Sequence, residues 1–240
     1  MTTTEAAPDG PAPVVFLHGA GRAGAEGWPL HGGDPSPQWH FLDRAPEGDD
    51  PERDAARIVD ALEQRGRGHV VASSYGACAG VIAAQRRPDL VTSLALCEPA
   101  CFDLARGRPA VEEHVVAMTP VYDVADDPAV SARQFSELFA AAMGSEPLDL
   151  PDDVLEREAA RLRRLRPPWD TGIVAGDGLP VPTMVVTGGW SALYDETAEA
   201  LVALGATAVE LSGAGHGVHR DPRVLPLLEG LWGTARSAGA

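Results

Sequence analysis

Short apolar runs alternate with longer amphipathic stretches along much of this chain, and most of the runs stop at turns built from small residues. Pro13-Val14-Val15-Phe16-Leu17 stops at His18-Gly19-Ala20-Gly21, His69-Val70-Val71-Ala72 at Ser73-Ser74-Tyr75-Gly76, and Pro182 to Thr187 at Gly188-Gly189. Val91 to Cys97 and Ala206 to Leu211 read the same way, and Trp39-His40-Phe41-Leu42 adds a further short strand. Continuous apolar runs fit strands covered on both faces, as in a parallel sheet. Helices fill the gaps. Asp50-Pro51 caps one that runs to about Arg65, an Ala-rich one ends near Arg87-Pro88, and another spans about Ala192 to Leu204. Asp221-Pro222 caps a last one with Leu225, Leu228 and Trp232 facing inward. Strands and helices in alternation require right-handed crossovers and helices on the sheet faces. The expected class is α/β: a three-layer αβα sandwich with a mostly parallel sheet of about six strands.

The alternation stops between Pro99 and Pro180. Helical spacing there (Val111/Val115/Met118, Phe135/Leu138/Phe139/Ala142/Met143, Leu155/Ala159/Leu162/Leu165) predicts helices, the middle one running from Asp127-Pro128 to Gly144. The expected organisation is a disordered tail over residues 1–11, a core over 12–99 and 181–240, and a helical cap inserted over 100–180. The Arg run from Arg157 to Arg166 reads as the solvated face of a cap helix.

Charge narrows the partners. The chain carries 19 basic and 35 acidic residues, a net charge of −16. That excludes nucleic acid as a default partner, which needs a basic face, and disfavours an anionic membrane. No apolar stretch is long enough to span a bilayer, and Met1 to Pro13 lacks the pattern of a signal peptide, so a cytoplasmic location is expected. The chain has no Lys and no Asn, a bias expected of a GC-rich bacterial gene. Cys78, Cys97 and Cys101 form neither a disulfide framework nor a metal pattern. The expectation is a small-molecule substrate, no metal, no organic cofactor, and a monomer or homodimer.

Three local features carry chemistry. Ala72-Ser73-Ser74-Tyr75-Gly76 places a Ser on a tight strand-to-helix turn, with free N–H groups of the helix start beside it. A Ser there is also an ordinary helix N-cap. His18-Gly19-Ala20-Gly21 can aim a backbone N–H, that of Ala20, into the crevice above the strand ends, or be a simple Gly turn. Gly213-Ala214-Gly215-His216 hangs a His, a potential general base, off the last strand.

Taken together, these features resemble the α/β-hydrolase fold superfamily, in the form of a small Ser-type member with a helical cap. The resemblance covers roughly residues 12–236. It implies that Ser74 is the nucleophile, His216 the base, and the N–H groups of Ala20 and Tyr75 the oxyanion hole. A Ser at this turn disfavours epoxide hydrolases and dehalogenases, which as a family use Asp. Two departures stand out. Ala72 replaces the usual Gly two residues before the nucleophile, and the family's first two strands are missing ahead of Val14. The acid is open. Ser191 stands where the family places its Asp, leaving Glu98, at the end of the strand beside the turn, and Asp195, four residues beyond Ser191, as alternatives to a Ser–His dyad.

Trp28, Trp39, His40, Trp169 and Trp190 fall in or near loops that could reach the pocket, so they are the expected substrate-binding residues. The implied function is hydrolysis of an ester or thioester of a small-to-medium, apolar or aromatic substrate through an acyl-enzyme. The alternatives are a lyase or cyclase of a bacterial biosynthetic pathway on the same fold, or a ligand-binding relative with a degenerate triad.

Overall fold

Six parallel strands form one sheet in the order β2-β1-β3-β4-β5-β6. They are β1 (Val14–Leu17), β2 (Trp39–Phe41), β3 (Gly68–Ser73), β4 (Val91–Cys97), β5 (Thr183–Thr187) and β6 (Thr207–Glu210). The computed structural model describes residues 11–20, 22–32, 36–45, 47–147 and 149–238. Apart from Pro11, the tail expected over residues 1–11 lies outside the described residues, as does Gly21 of the first turn.

The inner strands β1, β3, β4 and β5 are buried almost throughout because both sheet faces are covered there, while the edge strands β2 and β6 are partly exposed. Val14 and Phe16 of β1 join Val71, Ala95, Met184 and Val186 on one face, against Val224, Leu228 and Trp232 of the helix α8 (Val224–Ala238). Val15 and Leu17 point the other way with Val70, Leu94, Leu96 and Val185. They meet Ile58 and Leu62 of α2 (Pro51–Arg65), Val81 of α3 (Gly76–Arg86) and Leu201 of α7 (Ala192–Ala203). Alternate residues thus feed opposite layers, the period-two rule of a strand. Each large side chain fully withdrawn from water contributes about 1.5–3 kcal/mol before entropy is subtracted. Asp50 caps α2 by accepting from the Arg53 N–H, with Pro51 opening the helix.

Between β4 and β5 the chain forms α4 (Pro109–Asp123), α5 (Ala132–Ala142) and α6 (Asp152–Leu162). Three local expectations need correcting. α5 starts at Ser131, not Asp127, because Ser131 and Gln134 form a reciprocal capping box; Asp127 instead accepts from the Ala129 N–H in the turn before it. The Arg run is not uniformly solvated. Arg157 is exposed, but Arg161 is almost buried, paired with Glu158 and Asp49, and Arg163 donates to the Ala125 and Val130 carbonyls with its guanidinium over the Phe135 ring. At the other end of the chain, Val224 rather than Leu225 takes the innermost place on α8.

The short helix α1 (Pro29–Gly32) carries His31 into an aromatic cluster, 5.1 Å from the Phe16 ring and 5.0 Å from Trp39. Both of its ring nitrogens are buried without a hydrogen-bond partner among the described residues. Burial lowers its pKa from the ordinary 6.5. Below that value the unfolded chain binds a proton that the folded one resists, so this group's contribution to stability falls as pH drops. His31→Phe keeps a ring in the cluster and removes two unpaired polar atoms. It is expected to stabilise the fold by about 1 kcal/mol at pH 7. The gain should widen at pH 5, as read by urea unfolding at the two pH values.

Candidate active site

The carboxyl ends of β3, β4, β5 and β6 converge on one place. β3 ends at Ser73, and α3 starts at Gly76. Ser74 in the turn between has φ 51°, and Glu98, directly after β4, has φ 48°. Among the described residues these are the non-glycine positions with left-handed backbone, a conformation that costs about 1–3 kcal/mol each. The turn at Ser74 is fixed from both sides. Its N–H donates to the Cys97 carbonyl at 2.9 Å, and its own carbonyl accepts from Ala77 and Ala100. The chain after β1 closes against it, since a Cβ on Gly19 would lie 2.9 Å from the Ser74 Cβ. Only a glycine allows that approach.

His216 lies on a 3-10 helix, Gly215–Arg220, that follows β6. Its Nε2 is 3.2 Å from the Ser74 Oγ. Its Nδ1 is 3.6 Å from the Glu98 carboxylate, a contact distance rather than a made hydrogen bond. Glu98 is 1% exposed. A buried carboxylate must be compensated, and here the Gly188 N–H donates to it at 2.5 Å and the Trp190 indole N–H at 3.0 Å. Gly188 in turn packs on the loop that carries His216: a Cβ there would collide with the Gly215 carbonyl oxygen. Asp195, the other carboxylate weighed from the sequence, is exposed on the first turn of α7. Burial and the neighbouring Glu210 and Glu98 raise its pKa, and among the described residues it makes no ion pair with His216.

A cavity of about 370 Å³ opens beside Ser74 and His216. The core contributes Gly19, Ala20 and Tyr75 to its wall, and the inserted helices contribute Met118, Phe139 and Leu162. The N–H groups of Ala20 and Tyr75 make no backbone hydrogen bond among the described residues. The Tyr75 hydroxyl donates to the Arg166 carbonyl at 2.9 Å, and burial raises its pKa. No group of three or more His, Cys, Asp or Glu among the described residues could hold a metal ion.

The expected substrate-binding residues lie elsewhere. Trp28 is fully buried in the sheet core, and Trp39 and His40 are on the edge strand β2, where Trp39 packs on Phe16. Trp169 sits behind the cavity wall against His114 and Tyr122. Trp190 is half exposed and serves Glu98. None of the five lines the cavity. Sequence reasoning also misses Tyr194. It is buried on the first turn of α7, with its ring 5.0 Å from His216, and it lines the cavity. Burial, then Glu98, pushes its hydroxyl pKa up. Its one available signal is its place four residues after Trp190, at the start of the helix leaving the Gly188-Gly189 turn.

Fold and site fit one family, and the chain belongs to it: the model of the alpha/beta hydrolase family matches residues 14–225. No curated protein matches the chain. Among solved structures it is similar to NosK from Streptomyces actuosus, at 23% identity over 94% of this chain and 99% of that one, with TM-score 0.58. It is also similar to one of the novel epoxide hydrolases from metagenomes of hot environments, at 20% identity over 95% and 92%, TM-score 0.68. A thermophilic esterase from Thermogutta terrifontis matches at 17% identity over 93% and 90%, TM-score 0.58. At these identities the likeness is one of fold. No described helix is long and apolar enough to cross a membrane.

Gly188 links the buried carboxylate to the loop of the imidazole. Gly188→Ala is expected to push that loop away, costing about 2 kcal/mol or more by the overpacking route. Thermal melting should register the loss, and the NMR signals of the His216 ring should shift. An unchanged His216 ring would sink this account of how the two loops are held.

Proposed function

We propose that this protein is a serine hydrolase that cleaves an ester or thioester of a small-to-medium, apolar or aromatic substrate through an acyl-enzyme. The observation that carries the reading is the 3.2 Å contact between the Ser74 Oγ and the His216 Nε2, with the Glu98 carboxylate behind the imidazole. In this reading His216 Nε2 takes the hydroxyl proton as Oγ bonds to the carbonyl carbon. The carbonyl electron pair moves onto oxygen, which the Ala20 and Tyr75 N–H groups receive. The tetrahedral centre then collapses, and the departing alcohol or thiol takes the proton from His216. Water repeats the sequence on the acyl-enzyme: His216 removes its proton, a second tetrahedral centre forms, and the acid leaves as Ser74 recovers its proton.

Glu98 holds the Nδ1–H tautomer and offsets the charge of the imidazolium. Its 3.6 Å separation is the kind of looseness that tightens when the ring becomes charged. The helices of 100–180 act as the cap, and their apolar contribution to the cavity wall supports the substrate class.

A fluorophosphonate probe is expected to label Ser74, and Ser74→Ala to abolish both labelling and turnover of a 4-nitrophenyl ester. If the native protein resists the probe under conditions that modify other serine hydrolases, the acyl-enzyme reading fails. Glu98→Gln should lower kcat by about 100-fold or more, because the wrong tautomer is then favoured. Asp195→Asn should stay within about threefold. Equal or reversed losses would remove Glu98 from its role.

A further inference from the structure

Arginines at the cavity differ in how they are paired. Arg161, from α6, is neutralised by Glu158 and Asp49. Arg22 and Arg220, at the core side of the same cavity, form no ion pair among the described residues. Both are exposed. The backbone under Arg22 is anchored, since its carbonyl accepts from Arg44 at 2.8 Å, so a charged head stands unpaired on a fixed base. Arg220 donates through Nε to the His219 Nε2 at 3.2 Å and has no carboxylate partner among the described residues. In a chain of net charge −16, two unpaired guanidinium groups at one cavity mouth are a local reversal of sign.

His219 sharpens this. It lines the same cavity and is 9% exposed. Because the Arg220 Nε can only donate, the His219 Nε2 must accept, and the neutral ring then carries its proton on Nδ1. That Nδ1 is buried and has no partner among the described residues. The ring stays neutral at ordinary pH, because burial and then Arg220, His216 and Arg22 lower its pKa to about 4. The wall therefore presents two charged forks, with no carboxylate among the described residues paired to either.

We propose that the Arg22–Arg220 mouth of the cavity is a subsite for a carboxylate carried by the substrate at a distance from the bond that reacts. This rests on the reading of Ser74 as the nucleophile and adds the charge of the substrate to it. Each guanidinium fork matches the two oxygens of a planar carboxylate. The substrate is then a hemiester or monothioester of a dicarboxylic acid, or an ester of a hydroxy acid, with its apolar part against Met118, Phe139 and Leu162.

The test measures binding rather than turnover, so that it stands apart from the acyl-enzyme reading. Calorimetry on Ser74→Ala protein compares benzyl hydrogen glutarate with the neutral benzyl pentanoate at low and high salt. The charged ester should bind at least tenfold more tightly at low ionic strength, with the margin shrinking as salt rises. Arg22→Gln and Arg220→Gln should each reduce that margin, and the double substitution should remove it. Both side chains are exposed, and melting curves confirm that the variants fold. Equal affinity for the two esters, no binding of either, or a preference that survives the double substitution would overturn the subsite. Fluorophosphonate labelling of the native protein is scored separately, so failure of the nucleophile and failure of the subsite give different results.

Discussion

The Glu98 carboxylate is the constraint around which the site is organised. An ionised group 1% exposed must find donors, and it finds them in the loop after β5. The Glu98 N–H is tied to the Val186 carbonyl, and its carboxylate oxygens take the Gly188 and Trp190 N–H groups of that loop. The same loop packs on Gly215, one residue before His216. On the other side, the carbonyl of Cys97 holds the Ser74 N–H. One buried charge thus relates the ends of β3, β4, β5 and β6, and the contact between His216 and Ser74 follows from where those ends are put.

The cavity above this frame is composite. The core supplies polar groups and glycine-rich turns, while the inserted helices supply an apolar lining. The two parts are joined at specific points. Arg161 of α6 reaches Asp49 at 3.4 Å, and the Tyr75 hydroxyl reaches the Arg166 carbonyl. These bonds run across the cavity wall rather than through the sheet, so the position of the inserted helices is set close to Ser74 and His216. The segment from Val70 to Gln85 carries no charge. Among the described residues, charge reaches the site through Glu98 behind the imidazole and through arginines at the rim.

How much of this is legible in the sequence depends on the range of the interaction. The strands can be read because apolar runs between helices have few other ways to fold, and α2 because Asp50-Pro51 is a local start signal. Ser74 and His216 can be singled out because a turn and a loop after a strand fix their place along the sheet edge. Glu98 can be named as one of two carboxylates for the same reason, since it directly follows β4. The tryptophans cannot be placed. Whether an indole enters a cavity or the core depends on side-chain direction, and Trp28 turns inward to pack on Phe16. Tyr194 and the roles of Arg161 and Arg163 escape a sequence reading, because they depend on partners 22 to 112 residues away in other elements. The start of α5 is obscured because Asp127-Pro128 imitates a cap that Ser131 and Gln134 actually form.

The left-handed backbone at Ser74 has an evolutionary consequence. A glycine there would relax the turn and keep the fold, so selection for stability alone would push this position away from serine. The hydroxyl persists only while something rewards it. Where nothing selects for a hydroxyl, the same turn should drift to glycine early, before the sheet beneath it shows any sign of decay.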